Sequence, residues 1–262
     1  IETVDENYTH RVGVCYKCKN VIEPLPREQW FVKVEKLRGR AVEGVKSGEV
    51  RIFPQNFETH YFQWMEGLRD WNISRQVVWG IRIPAWKCKD CKEWVVTEGQ
   101  PPTKCTRCDS LSLSQDEDTF DTWFSSGQWP FATLKTSKEG DFDSFYPTTV
   151  METGYDILRW WVARMVMLGI YETGKIPFEN VVLHGLVNDP LGKKMSKSKG
   201  NVVNPIEVVD EYGADAVRFA LSYGTALGND QSLSYPKLEA MRKFTNKLWN
   251  MARFIELKKV EG

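Results

Sequence analysis

The sequence has no apolar run approaching the roughly 20 residues that a membrane helix requires. The best stretch, Trp160–Ile170, is short and carries Arg164, so no membrane partner is expected. An excess of one charge is missing too: 35 Lys and Arg balance 35 Asp and Glu. That excludes a wholly basic nucleic-acid coat but leaves room for a local basic site. The opening Ile1-Glu2-Thr3-Val4-Asp5-Glu6 is acidic and lacks the apolar core of a signal peptide. A starting Met is absent, and the chain is expected to be a piece of something longer. Low-complexity tracts and internal repeats are absent, apart from a recurring Cys-x-x-Cys unit.

The chain does have apolar mass: 42% of its 262 residues, with 13% aromatics and 11 Trp, enough for one large domain or two small ones. Such a chain buries a sizeable core, which excludes wholesale disorder. Its six Cys fall in three pairs, Cys15/Cys18, Cys88/Cys91 and Cys105/Cys108. Secreted disulfide frameworks are shorter and denser in Cys. The pairing favours metal, and the expected compartment is the reducing cytoplasm.

Residues 1–37 mix β-like runs with Pro24 and Pro26. Residues 54–70 read as a helix, with Phe57, Tyr61, Trp64, Met65 and Leu68 at spacings of 3 to 4. Residues 73–83 alternate through Val77, Val78, Trp79, Ile81 and Ile83 and read as β-rich. Residues 84–114 carry little apolar mass and form an excursion held by something other than a core. Residues 150–170 read as a strand end and turn, then a helix with a stripe of Ile157, Leu158, Trp161, Val162, Met165 and Leu168. Val181–Val187 has the run of a buried parallel strand. A Gly- and Lys-rich loop over 188–201 follows. Asn204-Pro205 is an N-cap with Pro at the first helical position. A second helix runs from Gly213 towards Tyr223. A last one starts near Ser234 with Leu238, Met241, Phe244, Leu248, Met251 and Phe254 on one face.

Two constellations carry chemistry. Cys88-x2-Cys91 and Cys105-x2-Cys108 stand 13 residues apart, slightly under the usual ribbon window. Four thiolates in two hairpins close a tetrahedral Zn²⁺ site at about 2.3 Å per bond, with no position left for water, so the metal is structural. Lys87, Lys89, Lys92, Lys104 and Arg107 offset its negative charge. Free or redox-active thiols are the competing reading. Cys15 and Cys18 make half a metal site: unpaired thiols and metal shared with another chain stay open.

The second constellation is Lys194-Met195-Ser196-Lys197-Ser198, with Lys193 before it and Lys199-Gly200-Asn201 after it. Mobile ammonium groups between Gly192 and Gly200 suit a polyphosphate whose charge peaks as a phosphoryl bond breaks. A solvated lysine loop is the plain alternative. The pentapeptide KMSKS occurs by chance in about one chain in ten thousand of this length. It resembles the second signature of class I aminoacyl-tRNA synthetases.

The resemblance extends from about residue 8 to 257. Trp71-Asn72-Ile73-Ser74-Arg75-Gln76 with Trp79-Gly80-Ile81-Arg82-Ile83-Pro84 is similar to a segment of the valine, isoleucine and leucine enzymes. Asp121-Thr122-Trp123-Phe124-Ser125-Ser126, Trp129-Pro130-Phe131, the stretch Tyr146–Leu158 and His184-Gly185-Leu186-Val187 resemble the valyl-tRNA synthetase family. The resemblance implies an α/β fold: the second half of a doubly wound, parallel-sheet, Rossmann-like catalytic domain, with a small zinc ribbon and a C-terminal helix starting an α-helical bundle. It divides the chain into a connective segment and start of the catalytic half (1–83), the zinc ribbon (84–114), the catalytic half with KMSKS (115–203), a helical stem (204–235) and the start of an anticodon-binding bundle (236–262).

It further implies ATP-dependent ligation of valine to tRNA(Val) through a valyl-adenylate, with Mg²⁺ and Zn²⁺ as metals. Lys197, helped by Lys194, is expected to stabilise the transition state of adenylate formation, with Met195, Ser196 and Ser198 completing the ATP loop. Glu152, Gly154 and Asp156 are expected at a strand end near ribose and amino acid, with His184 and Gly185 flanking the adenosine. A helix-terminal charge pair is the alternative for Glu152 and Asp156, and a core histidine for His184. Trp123, Ile157 and Trp161 are expected to shape the amino-acid pocket, Ile157 and Trp161 on one helix face, with core packing as the alternative.

The family's first signature, HxGH, is not found among His10, His60 and His184. An HxGH-containing N-terminal half is therefore an expected partner, and its absence is expected to leave the strand edge around Val181–Val187 uncovered. The upstream pair that completes Cys15/Cys18 in similar enzymes is absent as well. A non-catalytic zinc fragment that binds tRNA or a partner is the second functional reading. Isoleucine is the alternative substrate, against which Thr122 and Thr148-Thr149 argue.

Overall fold

The computed structural model describes residues 9–15, 18–23, 25–197 and 200–258. Its centre is a parallel sheet of β2 (Arg51–Phe53), β10 (Phe178–His184) and β9 (Thr148–Gly154), in that order. β10 lies in the middle, with Val181 and Leu183 fully buried. The sheet edges therefore belong to β2 and β9, not to the expected 181–187 run. The apolar run also breaks earlier than expected: β10 ends at His184, and Val187 opens β11 (Val187–Asn188).

Helices α1 (Glu35–Lys46), α2 (Phe57–Glu66) and α6 (Ala163–Thr173) build one core with the sheet. α2 is shorter than the expected 54–70 because Pro54 stands before it and Gly67 closes it. Tyr61 and Met65, four apart, point the same way into that core and are fully buried. Between β9 and α6 the chain makes a 3₁₀ turn (Tyr155–Ile157) and then a π-helical turn (Leu158–Val162). Ile157 and Trp161 thus stand on either side of a change of helix type rather than on one regular helical face. Wide π turns of this kind recur at functional sites because they re-aim side chains.

A second core forms around Trp71, Ile73, Phe131, Tyr146 and Leu168. It joins β1 (Phe31–Val32) and β3 (Trp71–Asn72), which pair antiparallel, to α3 (Thr122–Ser126), α4 (Trp129–Thr136) and α5 (Asp141–Phe145). The β-rich reading of 73–83 fails in its middle. Only β4 (Ser74–Arg75) forms a strand there, pairing with β8 (Thr119–Phe120), and Arg82 makes an isolated bridge. Val78 and Trp79 are exposed because the backbone leaves the ladder and bends at Gly80, whose φ is +156°.

The excursion beyond Pro84 is a ribbon of β5 (Ala85–Cys88), β6 (Trp94–Val96) and β7 (Leu113–Gln115), antiparallel in the order β6-β5-β7. Its own core is little more than Cys88, Val95 and Cys105.

After β11 come α7 (Pro205–Tyr212), α8 (Ala214–Ser222), β12 (Gln231–Ser232) and α9 (Tyr235–Leu257). The Asn204 side chain caps α7 by accepting from the Ile206 N–H, with Pro205 at the first position, as the sequence predicts. Val208, Val217, Ala220 and Leu238 form the core of this helical unit. β12 returns to pair in parallel with β11 in a two-stranded sheet of their own and ties the unit to the segment that follows β10. The apolar face of α9 is buried only at Leu238, while Leu248, Met251 and Phe254 are exposed. Among the described residues no helix is long and apolar enough to cross a membrane.

Candidate active site and metal centre

The carboxyl ends of β9 and β10 stand side by side, His184 opposite Gly154 in the register. Open α/β sheets bind ligands at such strand ends. His184 is exposed, so the core-histidine reading does not hold. Its Nδ1 lies 2.7 Å from the Gly185 carbonyl, which can only accept, and its Nε2 lies 3.4 Å from Glu152 Oε1. Both glycines are there for close approach: a Cβ at Gly154 would meet Asp156 Oδ1 at 2.8 Å, and one at Gly185 would meet Asn229 O at 1.7 Å. The 229–230 turn is held against the segment that follows β10 by Asp230, whose Oδ1 accepts the Leu186 N–H at 2.8 Å. That bond, first among several, keeps the Asp230 carboxyl below its ordinary range.

The lysine loop reaches this strand end. Lys194 Nζ lies 3.1 Å from Asp156 Oδ2, so Asp156, in the first turn of its own helix, also pairs with the loop. Met195 is half-buried, its sulfur 3.3 Å from the Val203 N. Ser196 donates its N–H to Asn201 Oδ1 at 2.9 Å, and Lys197 is exposed. Ser198 lies outside the described residues.

Trp123, Ile157 and Trp161 are all half-buried, neither core nor surface. Trp161 Nε1 donates to the Ser126 carbonyl at 3.0 Å, which fixes its ring to the end of α3. Trp123 sits at the start of the same helix, capped by Asp121, whose Oδ1 accepts the Trp123 N–H at 3.3 Å. Asp121 also accepts from Trp71 Nε1 at 2.9 Å and pairs with Arg75 at 3.0 Å and Arg164 at 3.7 Å. Arg164 is buried between rings, its guanidinium 4.0 Å from the Trp71 centroid and 5.2 Å from that of Trp160. Burial lowers its pKa to about 10, against the pull of Asp121.

Sequence reasoning missed Asp121, Arg164, Asp189, Asn201 and Asp230. Asp121 had a signal, an N-cap residue before Thr122-Trp123. Arg164 and Asp230 act across the fold, at separations that local pattern does not report, and Asp189 and Asn201 meet only when the lysine loop closes on itself.

The ribbon brings Cys88, Cys91, Cys105 and Cys108 together, all four sulfurs within 4.8 Å of one another. Cys88 and Cys108 are 3.6 Å apart, as are Cys91 and Cys105. A tetrahedron of 2.3 Å bonds has edges of about 3.8 Å, so the cluster has the size of a four-thiolate ion site. The Cys91 backbone N–H, first among several donors, draws the Cys88 thiol down to about 6, while burial raises Cys91. Of the basic residues expected around it, Lys104 pairs with Asp109, Arg107 with Glu93, and Lys87 lies over the Trp94 ring.

The three Cys pairs share one backbone form. The first Cys accepts at its carbonyl from the N–H four residues on and donates to the carbonyl five on: Lys19 and Asn20 for Cys15, Lys92 and Glu93 for Cys88, Asp109 and Ser110 for Cys105. The residue after the second Cys has positive φ each time, Lys19 at 63°, Lys92 at 63° and Asp109 at 57°.

The half-site of Cys15 and Cys18 stays a half-site. Among the described residues, neither Cys15 nor Cys18 joins a group of three or more possible metal ligands; the ribbon cluster is the one such group. Cys15 is half-buried and Cys18 exposed at the turn. The physical reason is topological. The ribbon cluster forms because β5 and its neighbours carry one Cys pair against another, whereas Cys15 and Cys18 lie on a short turn closed only by the Val14–Val21 bridge, which brings up no second pair. The described residues therefore supply a knuckle with two thiols, two short of the four ligands that a structural zinc takes.

The model of the family "tRNA synthetases class I (I, L, M and V)" matches residues 13–234. The chain is 52% identical to the valine--tRNA ligase of Dehalococcoides mccartyi and 51% identical to that of Clostridium acetobutylicum, covering 95% of itself and 28% of each relative. It thus spans little more than a quarter of the curated relatives it matches. Among solved structures it is similar to the LeuRS of Agrobacterium radiobacter K84 in a ternary complex with tRNA and LeuAMS, with TM-score 0.60 and 27% identity over 70% of this chain and 28% of that one. The methionyl-tRNA synthetase of Mycobacterium tuberculosis bound to methionyl-adenylate shares the fold at TM-score 0.62 and 19% identity, over 87% of this chain and 40% of that one. With the family match covering most of its length and a parallel sheet whose strand ends meet the KMSKS loop, the chain belongs to the class I tRNA synthetases of the I, L, M and V group.

Proposed function

We propose that this chain is the KMSKS-bearing part of a valine–tRNA ligase, which joins valine to tRNA(Val) through valyl-adenylate in the cytoplasm. The observation that carries this is the 3.1 Å contact between Lys194 and Asp156, which joins the lysine loop to the strand ends where nucleotide and amino acid would meet. The valine carboxylate attacks the α-phosphorus of ATP, and the bond to pyrophosphate breaks. Lys197 meets the charge that develops on the departing phosphates, with Lys194 as its helper and Met195, Ser196 and Ser198 shaping the loop. Glu152, Gly154 and Asp156 face ribose and amino acid, and His184 and Gly185 flank the adenosine. The 3′-terminal adenosine of tRNA then takes the valyl group and releases AMP.

Trp123, Ile157 and Trp161 wall a pocket that accepts valine by size. Mg²⁺ accompanies ATP and neutralises its phosphates. Zn²⁺ is held by Cys88, Cys91, Cys105 and Cys108, a set with the right donors and spacing, and stabilises a ribbon that has little core of its own. Cys15 and Cys18 supply two ligands of a second zinc site, whose other ligands come from outside the described residues. An HxGH-bearing segment seats against the edge of β9 that no described strand pairs, since such an edge next to the site is a ready pairing surface.

The test is valine-dependent ATP–pyrophosphate exchange by the full-length enzyme with Lys197→Ala. The exchange rate is expected to fall on the order of a hundredfold, as for other deleted transition-state charges, with KM for valine little changed. An unchanged rate overturns the assignment.

A further inference from the structure

The neck of the lysine loop is closed by one amide. Asn201 Nδ2 donates to Asp189 Oδ2 at 2.9 Å and to the Lys194 carbonyl at 3.2 Å, while its Oδ1 accepts the Ser196 N–H at 2.9 Å. Asp189 is buried, and its other oxygen accepts the N–H groups of Leu191 at 3.0 Å and Lys193 at 2.8 Å. Asn188, beside it, bridges to Lys194. Every one of these groups belongs to the two strands of the neck, and none points to a ligand.

We infer that Asn201, braced on Asp189, is a positioning residue that sets where the Lys194–Lys197 segment stands relative to the phosphates. The inference rests on the function proposed above. Three bonds from one side chain hold both backbone neighbours of Met195, so loss of the amide frees the segment without touching any lysine side chain. Both donor hydrogens of the amide are needed. A carboxylate in its place keeps the acceptor for Ser196 but sets negative charge against Asp189 and against the Lys194 carbonyl.

That difference supplies a readout that mere support of the fold lacks. Asn201→Asp creates two carboxyls within hydrogen-bond distance, which cannot both ionise, so one takes up a proton more readily than usual. The protonated form donates an O–H and restores the clasp as pH falls. The charged group facing the pair is the Lys193 ammonium on the loop, and the Asp230 carboxylate on the 229–230 turn bonds the neighbouring Asn188. Both are shared with the parent enzyme, so their titration cancels in the ratio of variant to parent.

In the full-length enzyme, Asn201→Asp is expected to slow valine-dependent pyrophosphate exchange at neutral pH on the order of tenfold to a hundredfold, the usual effect of losing bonds to a charged group. The fall is expected in kcat with KM for valine unchanged, and the ratio to the parent rises as pH is lowered. Asn201→Ala loses activity without that rise. Asp189→Asn combined with Asn201→Asp restores an amide–carboxylate pair and part of the activity. Tryptic cleavage after Lys194 or Lys197, relative to the parent at the same pH, gives a second reading without catalysis: faster for Asn201→Asp at neutral pH and less so at acid pH. A flat ratio of exchange rates with unchanged cleavage overturns the inference. If Lys197→Ala leaves exchange untouched, the proposed function fails, and the cleavage experiment still decides whether the clasp exists.

Discussion

The indole Nε1 of Trp161 donates to the carbonyl oxygen of Ser126 at 3.0 Å. The indole N–H of that ring is thereby occupied, so the proposed pocket offers a ligand volume and little polarity. Trp161→Ala in the full-length enzyme is expected to admit isoleucine and to lower the Val/Ile ratio of kcat/KM by about tenfold or more. That is the general worth of placing one methylene, for which sorting valine from isoleucine is itself the standard example. Trp161→Phe keeps the wall and is expected to preserve most of the ratio. An unchanged ratio in Trp161→Ala shows the ring to be core.

Metal analysis of the purified 262-residue chain is expected to find one zinc in the ribbon, lost in Cys105→Ser. Apart from Ala85, Trp86 and Val95 the ribbon buries little but the Cys88 and Cys105 side chains, so chelation is expected to unfold 84–114 while the sheet domain persists. Acid acts in the same direction: thiolate ligands are present above their pKa values and lost as pH falls, so zinc release is expected on acidification. A folded, metal-free ribbon by NMR contradicts this reading.

The knuckle of Cys15 and Cys18 gives a separate stoichiometry. In the full-length enzyme Cys15→Ser and Cys18→Ser are each expected to remove one zinc while the ribbon zinc stays, because the two sets share no ligand. Equal zinc content in parent and variants shows that the knuckle turn around Lys19 binds no metal.

Asp121 and Arg164 make a further test, of stability. Asp121→Ala removes the acceptor of Trp71 and the counter-charge of Arg75 and Arg164 together and strands a buried cation, at a cost of about 3–5 kcal/mol. Arg164→Met is expected to cost clearly less. Arg164 Nε and Nη1 have no hydrogen-bond partner, and an apolar chain of similar length keeps the packing against Trp71. Urea unfolding of the two variants compares them directly, and equal losses contradict the argument.

Local pattern alone reached the elements whose stabilisation is local. The Asn204-Pro205 cap, the Tyr61/Met65 face of α2 and the parallel run of β10 follow from propensity and periodicity, which need no knowledge of distant chain. The Cys-x-x-Cys spacing and the KMSKS loop were legible for the same reason, since each motif places its chemistry within a few residues. Tertiary structure decided what depends on partners far along the chain. One spacing, three times repeated, yields one knuckle form, but among the described residues only pairing of the ribbon strands brings two knuckles together. The alternation of 73–83 predicted a strand, but a strand needs a neighbour, and past Arg75 there is none until Arg82 meets Thr119. The Ile157/Trp161 pair was read from one regular helix, whereas packing against the sheet imposes a 3₁₀ turn followed by a π turn. The network around Asp121 joins residues 50 apart to α3, and the Asn201 clasp closes a loop across 12 residues. Such bonds form because folding removes water from both partners at once, and no window along the sequence contains that event.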